Sequence, residues 1–166
     1  MLRPAGGVGL LELYDRALPE VYGYLIVRCA DRALAEDLTS ETFLAAVTAP
    51  AGAPVTVGWL IGVARHKLAD HWRWQARQQR LLAAVGRSAE VADDPWDATL
   101  DVARAHTVLA GLAPQHRLVL MLRYLDGLSV PETAAVIDRT VHATEALLVR
   151  ARAAFRRDYE EGDRDV

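Results

Sequence analysis

Apolar residues recur every three or four positions along almost the whole chain, and strand-like alternation of apolar with polar residues is nearly absent. The periodicity predicts an all-α fold. Between Leu10 and Leu82 it predicts several helices, broken near Ala30-Asp31 and again at TAPAGAPVTV, Thr48 to Val57, a loop rich in Pro and Gly. Within this part Leu60, Ala64, Leu68 and Trp72 stand four apart, forming one stripe that should pack inward. Periodicity then fails from Gly86 to Thr99, where acidic residues surround Pro95. That stretch reads as a flexible linker between two small helical domains, spanning residues 10–85 and 100–158, with the linker at 86–99.

In the second domain the pattern predicts helices at Leu100 to Ala110, Gln115 to Leu125, Val130 to Ile137 and Val141 to Arg157. Ser129 followed by Glu132 is a capping-box signature: the serine oxygen accepts from the Glu132 N–H while the carboxylate reaches back to the serine N–H. Asp138 can take the left-handed conformation a tight helix end needs, and Thr140 can cap the next helix. A short helix, a tight turn and a longer helix ending in arginines form a helix-turn-helix, whose second helix enters the DNA major groove. Spacing assigns Val141, Leu148, Ala151 and Phe155 to its inner side and leaves His142, Glu145 and Arg150 outward.

Composition adds a soluble, core-forming chain, with 52% hydrophobic and 25% charged residues. The single cysteine, Cys29, forms no internal disulfide and no zinc cluster, and reads as a buried, inert thiol. No metal or other cofactor is expected. The short Gly-broken N-terminal stretch is not a signal peptide core, and no run approaches a membrane span, so a cytoplasmic protein is expected. Net charge is −3, which argues against non-specific DNA coating, yet the distribution is uneven. Acids crowd Glu12 to Glu41 and the linker, including Glu90, Asp93, Asp94 and Asp97, while Arg65 to Arg87 and Arg139 to Arg157 are basic. Such a chain faces nucleic acid at two places and something else elsewhere. Enzyme motifs are missing: no HExxH helix, no phosphate-binding glycine loop, no serine elbow.

Three stretches in order carry a resemblance to a known family. AEDLTSETFLAAV (Ala35 to Val47), WLIGVARHKLADHWR (Trp59 to Arg73) and LAPQHRLVLMLRYLDGLSVPETAAVI through LLVRARAAFRR resemble the two modules of bacterial extracytoplasmic-function sigma factors. The resemblance implies a specificity subunit of RNA polymerase, not an enzyme. It implies that Asp37, Leu38, Glu41 and Phe43 meet the clamp helices of the polymerase largest subunit. It places His66, Lys67, Arg73, Trp74 and Arg77 against opened minus-ten DNA, with TAPAGAPVTV as the wall of a pocket for a flipped base. Arg139, Thr140, His142, Glu145 and Arg150 would face the minus-thirty-five element, and an anti-sigma factor would clamp the two modules.

The residue chemistry is compatible. Acidic and apolar groups at helical spacing suit a basic partner surface, and a basic face beside aromatic residues suits a single strand. The chain departs from the family's pattern at Ser40 (commonly Gln), at Thr144 (commonly a buried aliphatic), and at Glu145 and Leu147 (commonly basic). Two rivals stand beside this reading: an ordinary helix-turn-helix regulator that binds its operator without polymerase, and an interaction module without promoter activity.

Overall fold

A computed structural model describes residues 7–29, 31–82 and 101–162, and every regular element among them is helical. The expected linker at 86–99, with its acids, lies outside the described residues. The helices are α1 (Gly7–Cys29), α2 (Arg32–Val47), α3 (Val57–Leu82), α4 (Val102–Gly111), α5 (Pro114–Leu120), α6 (Val130–Val136) and α7 (Val141–Glu161). They group into two compact units divided within α3, between Leu68 and Ala69.

In the first unit, α1 buries Leu13, Ala17, Val21, Leu25 and Cys29, an unbroken i, i+4 stripe that packs on α2. Each leucine so buried contributes about 1.5–3 kcal/mol. Pro19 interrupts the backbone ladder of α1 without ending it. Its missing N–H removes one bond, and the stripe continues past it. Asp31 begins α2 by accepting from the Leu34 N–H at 3.1 Å. The helix buries Ala35, Leu38, Thr39, Thr42, Phe43 and Ala46. The two threonine hydroxyls donate to the carbonyls of Ala35 and Leu38, both at 2.7 Å, so neither is buried unsatisfied. Thr56 caps α3 by accepting from Trp59 N–H at 3.1 Å.

In the second unit α4, α5 and α6 all pack on α7. The capping box is present, with Ser129 N–H donating to the Glu132 carboxylate at 2.7 Å and Glu132 N–H to Ser129 Oγ at 3.3 Å. Asp138 has φ 55°, the left-handed turn expected of it, and Thr140 Oγ1 accepts from Ala143 N–H at 3.1 Å. Of the α3 stripe, Leu60, Ala64 and Leu68 belong to the first unit and Trp72 to the second; all four are buried, as is Cys29 of the first unit.

Three features differ from the sequence expectation. The helix expected to run to Leu125 stops as α-helix at Leu120 and continues as a π-helical turn over Met121–Leu125, with Asp126 N–H donating to Met121 O at 3.0 Å. Leu118 to Leu122 are all buried, more consecutive positions than one α-helical face supplies, and the widened turn changes the facing of the residues after it. Val141, assigned inward by spacing, is exposed: the first turn of α7 leaves the core before its apolar face begins at Thr144 and Leu147. Finally, α7 continues past Arg157 to Glu161. Tyr159 explains the extension: its hydroxyl accepts from Asp101 N–H at 2.9 Å, and its ring lies 4.3 Å from the Arg104 guanidinium, which also donates to Tyr159 O.

His116 gives this domain an acid sensitivity. Burial against α7, then repulsion by Arg150 and Arg157, holds its imidazole below the usual histidine range. The unfolded chain therefore binds the proton more readily. Stability is fully present above the ordinary value near 6.5 and declines as pH falls through it toward the lowered folded value. Urea midpoints taken from about pH 7.5 to about pH 5 should fall more steeply for the parent than for His116→Gln. Parallel curves would mean that His116 does not couple folding to pH.

Candidate nucleic-acid interface

On α2 the outward ridge carries Asp37, Ser40, Glu41, Leu44 and Val47 at helical spacing. Asp37 and Glu41 are exposed as the sequence suggests. Leu38 and Phe43 are core: they are 4% and 8% exposed, and the Phe43 ring stands 4.6 Å from Tyr14 of α1. They support the ridge and do not present an apolar anchor; Leu44 and Val47, at 61% and 64% exposure, do. The sequence held this signal, since Ala35, Leu38, Thr42, Phe43 and Ala46 share one face and Leu44 and Val47 fall off it. Glu41 also meets Lys67 of α3 at 3.4 Å, bringing a polymerase candidate and a minus-ten candidate together. Both ends are substantially solvated, so the pair contributes little stability.

Along α3 the remaining minus-ten candidates follow the helix periodicity. His66 is exposed, with Nδ1 2.9 Å from the Gly62 carbonyl oxygen. Trp74 is an exposed aromatic with His71 at 6.2 Å, and Arg77 is exposed. Arg73 is half-buried between two carboxylates, bonded to Asp70 and 3.8 Å from Asp138. Arg73, Arg77, Asp138 and Arg139 line one cleft of about 220 Å³, floored by Trp72 and Leu147.

In the helix-turn-helix, Arg139 sits half-buried in the turn with its N–H on Ala134 O at 3.0 Å, and the Thr140 oxygen is engaged as the cap of α7. His142, Glu145 and Arg150 are exposed. Between them the outward face presents Val141, Ala146 and Val149, apolar groups that suit thymine methyls. Sequence reasoning passed over Ala146 and Val149 because it sought charge, and it assigned Val141 inward by spacing. The structure also accounts for two departures from the family pattern: Thr144 is buried with its hydroxyl on Thr140 O at 2.9 Å, and Leu147 is a core side chain. Of the three departures in the helix-turn-helix, Glu145 is the one that lies at the surface. Tyr124, exposed within the π-helical turn, places its hydroxyl 3.4 Å from Arg152. A spacing of 28 residues carries no local signal for that contact.

Two families match this chain: Sigma-70 region 2 over residues 13–78 and Sigma-70, region 4 over residues 103–155. The ECF RNA polymerase sigma factor SigC of Mycobacterium tuberculosis is 31% identical over 158 residues, covering 92% of this chain and 85% of that one. This chain belongs to the extracytoplasmic-function sigma factors. The ECF sigma factor BldN of Streptomyces coelicolor is 37% identical over 151 residues, and the aligned part spans 56% of its length. The fold matches that of RpoE from Bartonella quintana, solved with the anti-sigma factor NepR, at TM-score 0.54 and 19% identity, covering 93% of this chain and 98% of that one. In this sigma factor, region 2 accordingly contains the α2 ridge and most of α3, and region 4 contains the helix-turn-helix. No helix among the described residues is long and apolar enough to cross a membrane, and among them no group of His, Cys, Asp and Glu is arranged to hold a metal.

Proposed function

We propose that this sigma factor binds core RNA polymerase, reads promoter minus-ten and minus-thirty-five elements, and starts transcription of a specialised set of genes in the cytoplasm. The observation that carries the reading is the ordered pair of matched regions, each with an outward face of suitable chemistry. Residues 10–85 form the polymerase-binding and minus-ten domain, 86–99 the acidic connector and 100–158 the minus-thirty-five domain. On α2, Asp37 and Glu41 meet the clamp helices of the polymerase largest subunit, with Leu44 and Val47 as the apolar component. His66, Lys67, Arg73, Trp74 and Arg77 hold opened minus-ten DNA by charge and stacking. Arg139, Thr140, His142, Glu145 and Arg150 face the minus-thirty-five element. An anti-sigma factor restrains the protein, a reading supported by the NepR complex of RpoE.

In vitro transcription with core polymerase on a genomic promoter library tests the reading. Initiation from a defined promoter set, absent without this chain, is expected. Tight operator binding by the chain alone, with no core-dependent initiation, would instead identify an ordinary helix-turn-helix regulator.

Glu145 allows a finer test. A carboxylate on the reading face repels phosphate unless it accepts from a cytosine amino group. Flanked by Ala146 and Val149, it acts as a repulsive surface charge, so Glu145→Ala should tighten binding to all promoter sequences alike. A loss of about 1–3 kcal/mol confined to one base pair across a promoter mutant series would instead make Glu145 a base reader.

A further inference from the structure

The π-helical turn over Met121–Leu125 follows α5 and leads into the helix-turn-helix, and such turns recur at functional sites. It buries Met121 and Leu122 and leaves Tyr124 at 56% exposure. Core packing gives no reason for an aromatic ring held in solvent there. Two arginines set its position. Arg123 donates to the Leu128 carbonyl at 3.2 Å, tying the turn to the residue before the Ser129 cap, and its guanidinium lies 5.8 Å from the Tyr124 ring. The Tyr124 hydroxyl accepts from Arg152 Nη1 at 3.4 Å, which joins the turn to the recognition helix. Arg152 is exposed and stands seven residues after Glu145, so the two share one face of α7, about 10.5 Å apart along its axis.

We propose that Tyr124 and Arg152 form a phosphate-contact site that holds the backbone of duplex DNA at the rim of the minus-thirty-five element. The inference rests on the assignment of the outward face of α7 to that element, and deepens it. The major groove is about 12 Å wide. With the first turns of α7 at base edges, a side chain two helical turns beyond Glu145 reaches the groove wall, where the phosphates stand. A phenol whose oxygen accepts from a guanidinium keeps its proton for a second partner, and a phosphate oxygen is a strong acceptor. Arg152 carries further N–H groups for the same phosphate. The hydroxyl, not the ring, carries the contact, because the bases of a duplex are stacked away from its wall. Two donors from different elements then converge on one anion, which fixes the orientation of the recognition helix without reading sequence. On a face where the Glu145 carboxylate repels the backbone, this pair attracts it.

The test uses the full chain and a set of duplexes in which single methylphosphonates neutralise one backbone phosphate at a time across the element. Their sequence is a promoter selected with core polymerase present or, if core-dependent initiation fails, an operator selected with the chain alone. The parent should lose about tenfold in affinity at one phosphate on the element's rim. Tyr124→Phe keeps the ring and the charge, and the position is exposed, so the parental urea midpoint is expected. It should bind the unmodified duplex about fivefold more weakly, with an unchanged salt slope and a smaller response to neutralising that phosphate. Arg152→Ala should lose at least as much and flatten the slope by about one. Both losses should be alike for every base substitution in the element. Parental affinity in Tyr124→Phe, or an undiminished response to that phosphate in both variants, overturns the proposal. Loss of core retention with an unaltered methylphosphonate profile also overturns it, by assigning the pair to a protein surface. Failure to select any duplex overturns it together with the promoter reading. The core requirement is scored separately, so a failed sigma assignment remains distinguishable from a failed phosphate site.

Discussion

A chain carrying Asp37→Lys with Glu41→Lys should fail to retain core RNA polymerase in a pull-down while keeping the helicity of the parent. Both carboxylates are exposed and one turn apart on α2, so neither is needed for folding. Reversing them sets like charges against a basic partner surface, at a cost of several kcal/mol, or roughly a hundredfold or more in affinity. The Glu41 substitution also turns the contact with Lys67 into a repulsion. Asp37→Lys alone, which leaves that pair intact, should show a smaller loss of the same sign. Parental affinity in the double variant would remove α2 from the polymerase interface.

Phe43→Ala should behave oppositely, lowering unfolding free energy by about 3–5 kcal/mol in urea titrations while the folded fraction still binds polymerase. The ring is buried and leans on Tyr14 at 4.6 Å, so truncation leaves a cavity and ends an aromatic contact worth about 0.5–1.5 kcal/mol of that loss. Against a total stability of about 5–15 kcal/mol, the change is large enough to measure without ambiguity. A variant of parental stability that no longer bound polymerase would return Phe43 to the interface.

The sequence disclosed the features that lie within one or two helical turns. The capping box of Ser129 and Glu132, the Asp138 turn, the Thr140 cap and the stripe from Leu60 to Trp72 all depend on neighbours three or four residues apart, where backbone geometry alone fixes proximity. The burial of Leu38 and Phe43 was not legible from the family motif, which marks positions without stating which face each one takes. The distant partners of Arg73, Arg104 and Arg152 were illegible for another reason. Asp138, Tyr159 and Tyr124 reach them only through tertiary packing, which no local period encodes. The π-helical turn likewise depends on how many side chains α5 and its continuation must bury.

The hydrogen bond from Asp101 to the Tyr159 hydroxyl, with Arg104 against the same ring, fastens the start of α4 to the last turns of α7. The beginning and end of residues 101–162 are thus neighbours in space, the condition under which a fold tolerates a change in the order of its chain. A circularly permuted version, joined from Gly162 to Asp101 by a short linker and opened at the exposed Gly127 turn, should preserve the packing around α7. In such a protein the recognition helix would precede α4 in sequence and still present His142 and Glu145 on the same outward face.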